Sequence, residues 1–331
     1  MPKVSVILPV LNAETTIARA VDSILQQTGV DLELIVVDDG STDKTVHVLG
    51  NHCDGRMKIL QTDHGGVAAA SNAGLNFAQA GIIARMDADD FAYPRKLEYQ
   101  VAELQQQSLD VVGCRVRILN ADNTATESLQ RYERWINEET ITQQQILALR
   151  FVEFPLVNPT ILARRQYFDI GFADNDFPED YDLMLTAAAR GLRFGKVNNV
   201  LFDWSDSPSR LTRTDDRYSN DAFMRCRRKH LLDGPLRDAP RVDLWGAGQT
   251  GKPWLRWLQQ QQIQVRRVYE VHPRKIGNSI HNVTVVDAEK MSAPDGTPLI
   301  VAVGADGARA LIHEHVAKFG YVFGDDTWFV A

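Results

Sequence analysis

Cysteine is scarce in this chain of 331 residues: Cys53, Cys114 and Cys226 stand alone, never at Cys-x-x-Cys spacing. That excludes a disulfide framework and a thiolate zinc site, and a reducing cytoplasm is the expected setting. Apolar runs of the roughly 20 residues that span a bilayer are also missing. Met1-Pro2-Lys3 leads straight into a short apolar stretch without the shape of a signal peptide. Peripheral contact at the inner face of a membrane stays open, because docking there needs only a modest patch. Basic excess is lacking too, since 36 Lys and Arg face 43 Asp and Glu for a net charge of −7. A binder of phosphate backbones normally carries the opposite balance, so nucleic acid is not the expected partner. There is no internal repeat and no low-complexity segment. What remains is globular composition, 44% hydrophobic and 24% charged, in a chain long enough for two domains.

The N-terminal part alternates short β-branched runs with amphipathic helical patterns, the rhythm of βαβ units around a mostly parallel sheet. Val4 to Leu8 reads as a buried strand. Ile17, Ala20, Val21, Ile24 and Leu25 then recur at helical spacing over Glu14 to Gln27. Leu34 to Val37 is a second strand, ending in the turn Asp38-Asp39-Gly40-Ser41. A helix from about Val67 carries small residues, Ala70 and Gly74 among them, that imply close packing. Ile82 to Met86 is a strand that stops in Asp87-Ala88-Asp89-Asp90. Each strand thus ends in acids or turn residues, and in open α/β sheets ligands sit beyond the carboxyl ends of strands. A helix after Pro94, a strand over Val111 to Leu119, another over Thr160 to Ala163 and a helix over Glu179 to Arg190 follow, with Asn120 to Thr140 unassigned. Residues 203 to 217 read as a mobile loop. A basic helix over Asp215 to Leu232 is stopped by Asp233-Gly234-Pro235, which places a domain boundary near 234 to 240.

Three stretches, Val4 to Asn12, Ser23 to Gln27 and Leu34 to Asp43, together with Gly66 to Asn76, Asp87-Ala88-Asp89-Asp90 and Pro178-Glu179-Asp180-Tyr181-Asp182-Leu183, resemble the family 2 glycosyltransferases of the GT-A fold. The resemblance covers roughly two thirds of the chain in the family's order. It implies an inverting enzyme that moves a sugar from a nucleotide-diphosphate donor, UDP ahead of dTDP or GDP, to a hydroxyl acceptor. Cell-surface polysaccharide or glycoconjugate synthesis is the implied setting, with a lipid-linked glycan among the acceptors left open. The residues themselves agree, because aspartates at a strand end offer hard oxygen ligands for Mn2+ or Mg2+, the Lewis acid that a departing diphosphate needs.

The resemblance also assigns roles. Asp39 meets the base of the donor, with Pro9 and Val10 lining it and Asp38 on the ribose side. Asp87 faces the ribose or a metal-bound water, Asp89 ligates the metal and Asp90 is a third acid. Glu14 is a weaker candidate for the same pocket, with a structural reading beside it. Asp180 is the base and Glu179 contacts the acceptor, both at a helix start where the dipole favours a carboxylate. Trp204 to Thr212 resembles the family's loop over the diphosphate, so Arg210 and Arg213 are candidates for phosphate, equally readable as surface arginines. Two departures matter. No Gln-x-x-Arg-Trp motif is present, which favours single transfers over polymer synthesis. Asn158 also stands where many relatives have histidine.

In the C-terminal part, Trp245-Gly246-Ala247-Gly248-Gln249-Thr250-Gly251 follows a strand and opens a helix, and Glu270 closes the next strand. This is a dinucleotide-binding pattern in its expected context. It resembles small Rossmann-like domains, including those preceding sugar acyltransferases. Gly246, Gly248, Gly251 and Glu270 therefore form a candidate second nucleotide site, with tight helix-strand packing as the alternative use of the glycines. The expected organisation is a catalytic domain over 1–234 and a small Rossmann-like accessory domain over 240–331, with homo-oligomer assembly open. The competing function is an NAD-dependent oxidoreductase, or a nucleotide-binding regulatory protein, built on this C-terminal motif.

Overall fold

The computed structural model describes residues 3–120, 126–208, 210–305 and 307–331. The chain separates into two compact units. One takes the residues up to Gln143 together with Leu156–Cys226, and the other joins Gln144–Pro155 to Arg227–Ala331.

The first unit is built on β1 (Val4–Val10), β2 (Leu32–Asp38), β3 (Met57–Gln61), β4 (Ile82–Arg85), β5 (Phe91–Ala92), β6 (Val111–Asn120), β7 (Leu162–Arg164) and β8 (Phe194–Asp206), in the spatial order β3-β2-β1-β4-β7-β6-β8-β5. The run from β3 to β4 is parallel, and β7 enters antiparallel to both β4 and β6. All residues of β1 and β2 are buried. Both faces of these two strands are therefore covered, as continuous apolar runs in parallel strands require. The helix Gly66–Phe77 lies so close to the sheet that a Cβ on Gly74 would sit 2.6 Å from Ile7 Cγ2. The small residues of that helix do imply close packing.

Several boundaries differ from the sequence reading. Residues 158–160 form a 3-10 turn with Pro159 inside it, and the strand begins only at Leu162. The unassigned polar stretch contains a helix, Glu127–Glu138, capped by the Thr126 hydroxyl, which accepts from Leu129 N; residues 121–125 lie outside the described residues. Much of the expected loop over 203–217 is ordered. β8 runs to Asp206 and is followed by short helical turns at Leu211–Thr214 and Asp216–Tyr218, while residue 209 lies outside the described set.

The second unit carries β9 (Arg241–Trp245), β10 (Gln264–Glu270), β11 (Ser279–Ile280), β12 (Val283–Asp287), β13 (Leu299–Val301) and β14 (Thr327–Phe329), ordered β11-β12-β10-β9-β13-β14. The strands from β12 to β14 pair in parallel. This is the Rossmann-like α/β arrangement expected. Among the described residues no helix is long and apolar enough to cross a membrane.

Candidate active site

Parallel pairing places the carboxyl ends of β2, β1 and β4 side by side, with Val10 opposite Asp38 and Ile7 opposite Arg85. Pro9 and Val10 are buried at the end of β1. Asp38 is buried, and its Oδ1 accepts from Ser41 N at 3.3 Å. Asp39 is buried as well. Its carboxylate accepts from Gly65 N at 2.8 Å, Gly66 N at 2.9 Å and His64 Nδ1 at 2.8 Å. That carboxylate stitches the end of β2 to the start of the helix Gly66–Phe77.

The loop after β1 is latched to the turn after β2. Asn12 adopts φ of 51°, a left-handed conformation that asparagine tolerates, and its Oδ1 accepts from Thr42 N at 2.8 Å. Glu14 Oε2 accepts from Lys44 N at 2.9 Å while Glu14 N donates to Asp43 Oδ2 at 3.1 Å. The reciprocal pair ties Glu14 into the turn after β2.

The first of the acids after β4, Asp87, is held by Arg85, which is 1% exposed. Its Nη2 donates to Asp87 Oδ1 at 3.1 Å. Asp89 and Asp90 are held from the side by Ser205 near the end of β8, whose Oγ donates to the Asp89 carbonyl at 2.6 Å and whose backbone N–H donates to Asp90 Oδ1 at 2.7 Å. Asp87 and Asp89 are half-buried, whereas Asp90 is buried with Oδ2 unpartnered. Burial and the charge of Asp87 push the Asp89 carboxyl above the usual range, and burial with Asp89 and Asp87 pushes Asp90 well above it. Crowded carboxylates with raised proton affinity are what a divalent cation relieves.

The Glu179-Asp180 pair opens the helix Glu179–Ala189 and joins the same cluster. Asp180 lies near enough to Asp87 and Arg85 to feel both charges, and burial together with Glu179 pushes its carboxyl well above the usual range. Asp180 Oδ1 accepts from Tyr181 N at 2.7 Å. The Tyr218 hydroxyl donates to Glu179 Oε2 at 2.7 Å, and Glu179 is nearly enclosed. Arg217 beside Tyr218 is clamped by Asp215, with Nη2 to Oδ2 at 2.6 Å.

The two arginines of the following loop differ. The Arg210 guanidinium lies 4.2 Å from the Trp204 ring centroid and its charge reaches Asp89 and Asp90. Arg213 turns to Asp206, with Nη2 at 2.6 Å from Oδ2. Only Arg210 is drawn to the acids in this state. Arg85, Ser205 and Tyr218 are the participants that the sequence reading lacked. A basic residue closing the apolar run Ile82-Ile83-Ala84 was the one local signal for any of them.

In the second unit, Gly246 has φ of 122°, and a Cβ on Gly251 would lie 1.8 Å from the Gly246 carbonyl oxygen. Those two glycines serve the turn and its packing. A Cβ on Gly248 would meet only Lys275 Nζ, at 3.9 Å. Glu270 is bonded at both oxygens: Oε1 accepts from Val271 N at 3.0 Å and His272 N at 3.1 Å, and Lys275 Nζ donates to Oε2 at 2.9 Å. Lys275 and those N–H groups hold its carboxyl below the usual range.

A sequence profile of glycosyl transferase family 2 matches residues 5–171. Over 221 residues the chain is 28% identical to the uncharacterized glycosyltransferase EpsJ of Bacillus subtilis, a match that takes in 64% of this chain and 63% of EpsJ. The chain thus spans under two thirds of that relative. Among solved structures, TarS 1-349 of S. aureus in complex with UDP-GlcNAc aligns with a TM-score of 0.55 at 21% identity, over 70% of this chain and 67% of that one. The mannosyltransferase PcManGT from Pyrobaculum calidifontis in complex with GDP-Man and Mn2+ aligns with a TM-score of 0.51 at 22% identity, over 79% of this chain and 69% of that one. At such identities these likenesses speak for the GT-A fold.

Proposed function

Since the chain belongs to glycosyl transferase family 2, we propose that it moves a sugar from a nucleoside-diphosphate donor to a hydroxyl acceptor with inversion. The observation that carries this reading is the gathering of Asp87, Asp89, Asp90, Glu179 and Asp180 in one cluster beyond β4, with the buried Arg85 bonded to Asp87 and Arg210 near Asp89 and Asp90. UDP is the first donor to test, because TarS is held with UDP-GlcNAc. GDP is the second, because PcManGT is held with GDP-Man.

The donor set fits a hard divalent ion. Asp89 with Asp87 would hold Mn2+ or Mg2+, and Asp90 offers a further buried oxygen without a partner. Bound there, the ion would neutralise charge that develops on the leaving diphosphate. Pro9, Val10, Asp38 and Asp39 form the base and ribose side. Arg210 on its Trp204 platform is the arginine placed to approach the diphosphate. Arg213 would have to leave Asp206 to join it.

Inversion needs one displacement, with a base taking the acceptor proton. Glu179 has its Oε2 committed to Tyr218, whereas Asp180 commits only Oδ1 to its neighbour's backbone. Asp180 is therefore assigned as the base, and its raised proton affinity makes it the better acceptor. Glu179 shapes the acceptor side. Catalysis is assigned to the first 234 residues, and residues 240–331 to an accessory role. The family profile covers residues 5–171, outside the C-terminal motif, and gives the oxidoreductase reading no support.

The experiment is a thermal-shift series with UDP-, dTDP- and GDP-sugars, with and without Mn2+, on wild type and Asp89→Asn. A ligand that binds only the folded chain raises its melting temperature by mass action. A Mn2+-dependent shift in wild type that disappears in Asp89→Asn is expected. An equal shift in both proteins would remove Asp89 from the metal.

A further inference from the structure

Arg85 closes β4 with 1% of its surface exposed. Desolvating an arginine is expensive, and an apolar residue of similar volume often stabilises a core as well or better. Its presence therefore needs an account beyond packing. The guanidinium fork is only partly spent on the fold. Nη1 donates to the carbonyls of Ile7 and Met86 at 3.3 Å each, both long contacts, and the buried Nε has no partner among the described residues. The shortest bond goes to Asp87 Oδ1, at 3.1 Å from Nη2. Phe172 caps the group, with its ring centroid 6.0 Å from Cζ. Glu179 and Asp180, at the start of the neighbouring helix, both feel its charge.

We propose that Arg85 is a positioning residue of the donor site, which binds one oxygen of Asp87 so that the other is presented to the nucleotide and its metal. This rests on the donor-site reading above. By tying Nη1 to the Ile7 carbonyl in the middle of β1 and to the Met86 carbonyl just after β4, the same fork fixes Asp87 relative to the strand that carries Pro9 and Val10. Lysine cannot reproduce this, because a single ammonium lacks the planar fork that reaches two carbonyls and a carboxylate together.

The test is calorimetric titration of UDP in the presence of Mn2+ into the full chain, comparing wild type with Arg85→Met, Arg85→Lys, Asp87→Asn, the Arg85→Met/Asp87→Asn double variant and Asp89→Asn. Arg85→Met is expected to lose roughly 10-fold or more in affinity, the scale of one charge-assisted hydrogen bond. The double variant should bind no worse than Asp87→Asn alone, because the effect runs through Asp87. Wild-type affinity in Arg85→Met, or a full additional loss in the double variant, overturns the proposal. If Arg85→Met does not fold, Arg85→Lys decides: weakened binding with unchanged melting supports the fork, and wild-type binding overturns it. Asp89→Asn separates the two ideas. Undiminished binding there defeats the donor-site reading itself, whereas loss in Asp89→Asn with full binding in Arg85→Met defeats only the role of Arg85.

Discussion

Both units pair parallel strands and end them in glycine or acid turns, yet the acids after β4 and the acid that closes β10 are treated in opposite ways. In the N-terminal unit the acids after β4 are crowded, at least half-buried and left with spare oxygens, Asp90 Oδ2 among them. In the C-terminal unit Glu270 spends both oxygens on its own following backbone and on Lys275, as Asp39 at the end of β2 spends both of its own. Two of its motif glycines are consumed by the turn, one with φ of 122° and the other packed on a carbonyl. A strand-turn signal reads alike in both places. The difference lies in whether the fold exhausts the polar capacity or leaves it for a ligand, and unspent buried capacity is the feature that calls for a partner.

The sharpest way to break this contrast is to remove an unspent group. Asp180→Asn should bind donor as wild type does but lose transfer by about 10²-fold or more, the scale of a general base. The raised proton affinity of Asp180 fixes the sign of the pH dependence. A base works when ionised, so kcat/KM, which reports the free enzyme, is full above the raised pKa and falls as pH drops through it. The acidic limb should therefore stand above the ordinary aspartate value of about 3.9. Near-normal turnover in the variant would move the base to Glu179 or Asp182.

A smaller effect is expected from the glycines of the second unit, and it should appear in stability. Gly251→Ala places a methyl against the Gly246 carbonyl and should destabilise by roughly 1–3 kcal/mol, the usual scale of overpacking. Gly248→Ala, with only Lys275 Nζ at 3.9 Å from the new carbon, should melt within a degree or two of wild type, as expected of a change worth under about 0.5 kcal/mol. Equal losses in the two variants would contradict the division of labour among these glycines. The smallest effect of all is expected for Glu270→Gln, which keeps most of its contacts and touches no proposed substrate. Sugar transfer at the wild-type rate is expected in a donor-turnover assay, and a large fall would tie the second unit to the chemistry.

The sequence made legible those parts whose partners lie nearby in the chain or whose order along it is distinctive. The βαβ rhythm, the close helix at Gly74 and the assembly of Asp87, Asp89, Glu179 and Asp180 at one place belong to that class. Distant contacts escaped local reading. Glu14 reads as a pocket acid or a helix-start acid, and neither reading foresees its bond to Lys44 N, 30 residues on. β8 escaped notice because Gly195, Lys196 and the asparagines at 198 and 199 interrupt its alternation, and its register with β6 shifts near Arg115. The grouping of Gln144–Pro155 with the C-terminal unit left no trace in composition, since Ile146, Leu149, Phe151 and Phe154 are buried as any core residues are. Lys196 is similarly opaque: it is enclosed, donates to Thr140 Oγ1 at 2.7 Å, and burial pulls its ammonium down to about 7.

The grip of Ser205 on Asp89 and Asp90 spans 116 and 115 residues of chain, and this has a consequence for synthesis. Contacts of such separation form late, after the intervening chain has been closed into place. A nascent polypeptide that has already exposed every acid after β4 still lacks the strand that fixes them. The acidic turn is thus completed only when residue 205 has left the ribosome and β8 has paired with β6. A stalled or truncated chain ending before that point would display the motif without the geometry, and would be open to quality control as an incomplete fold.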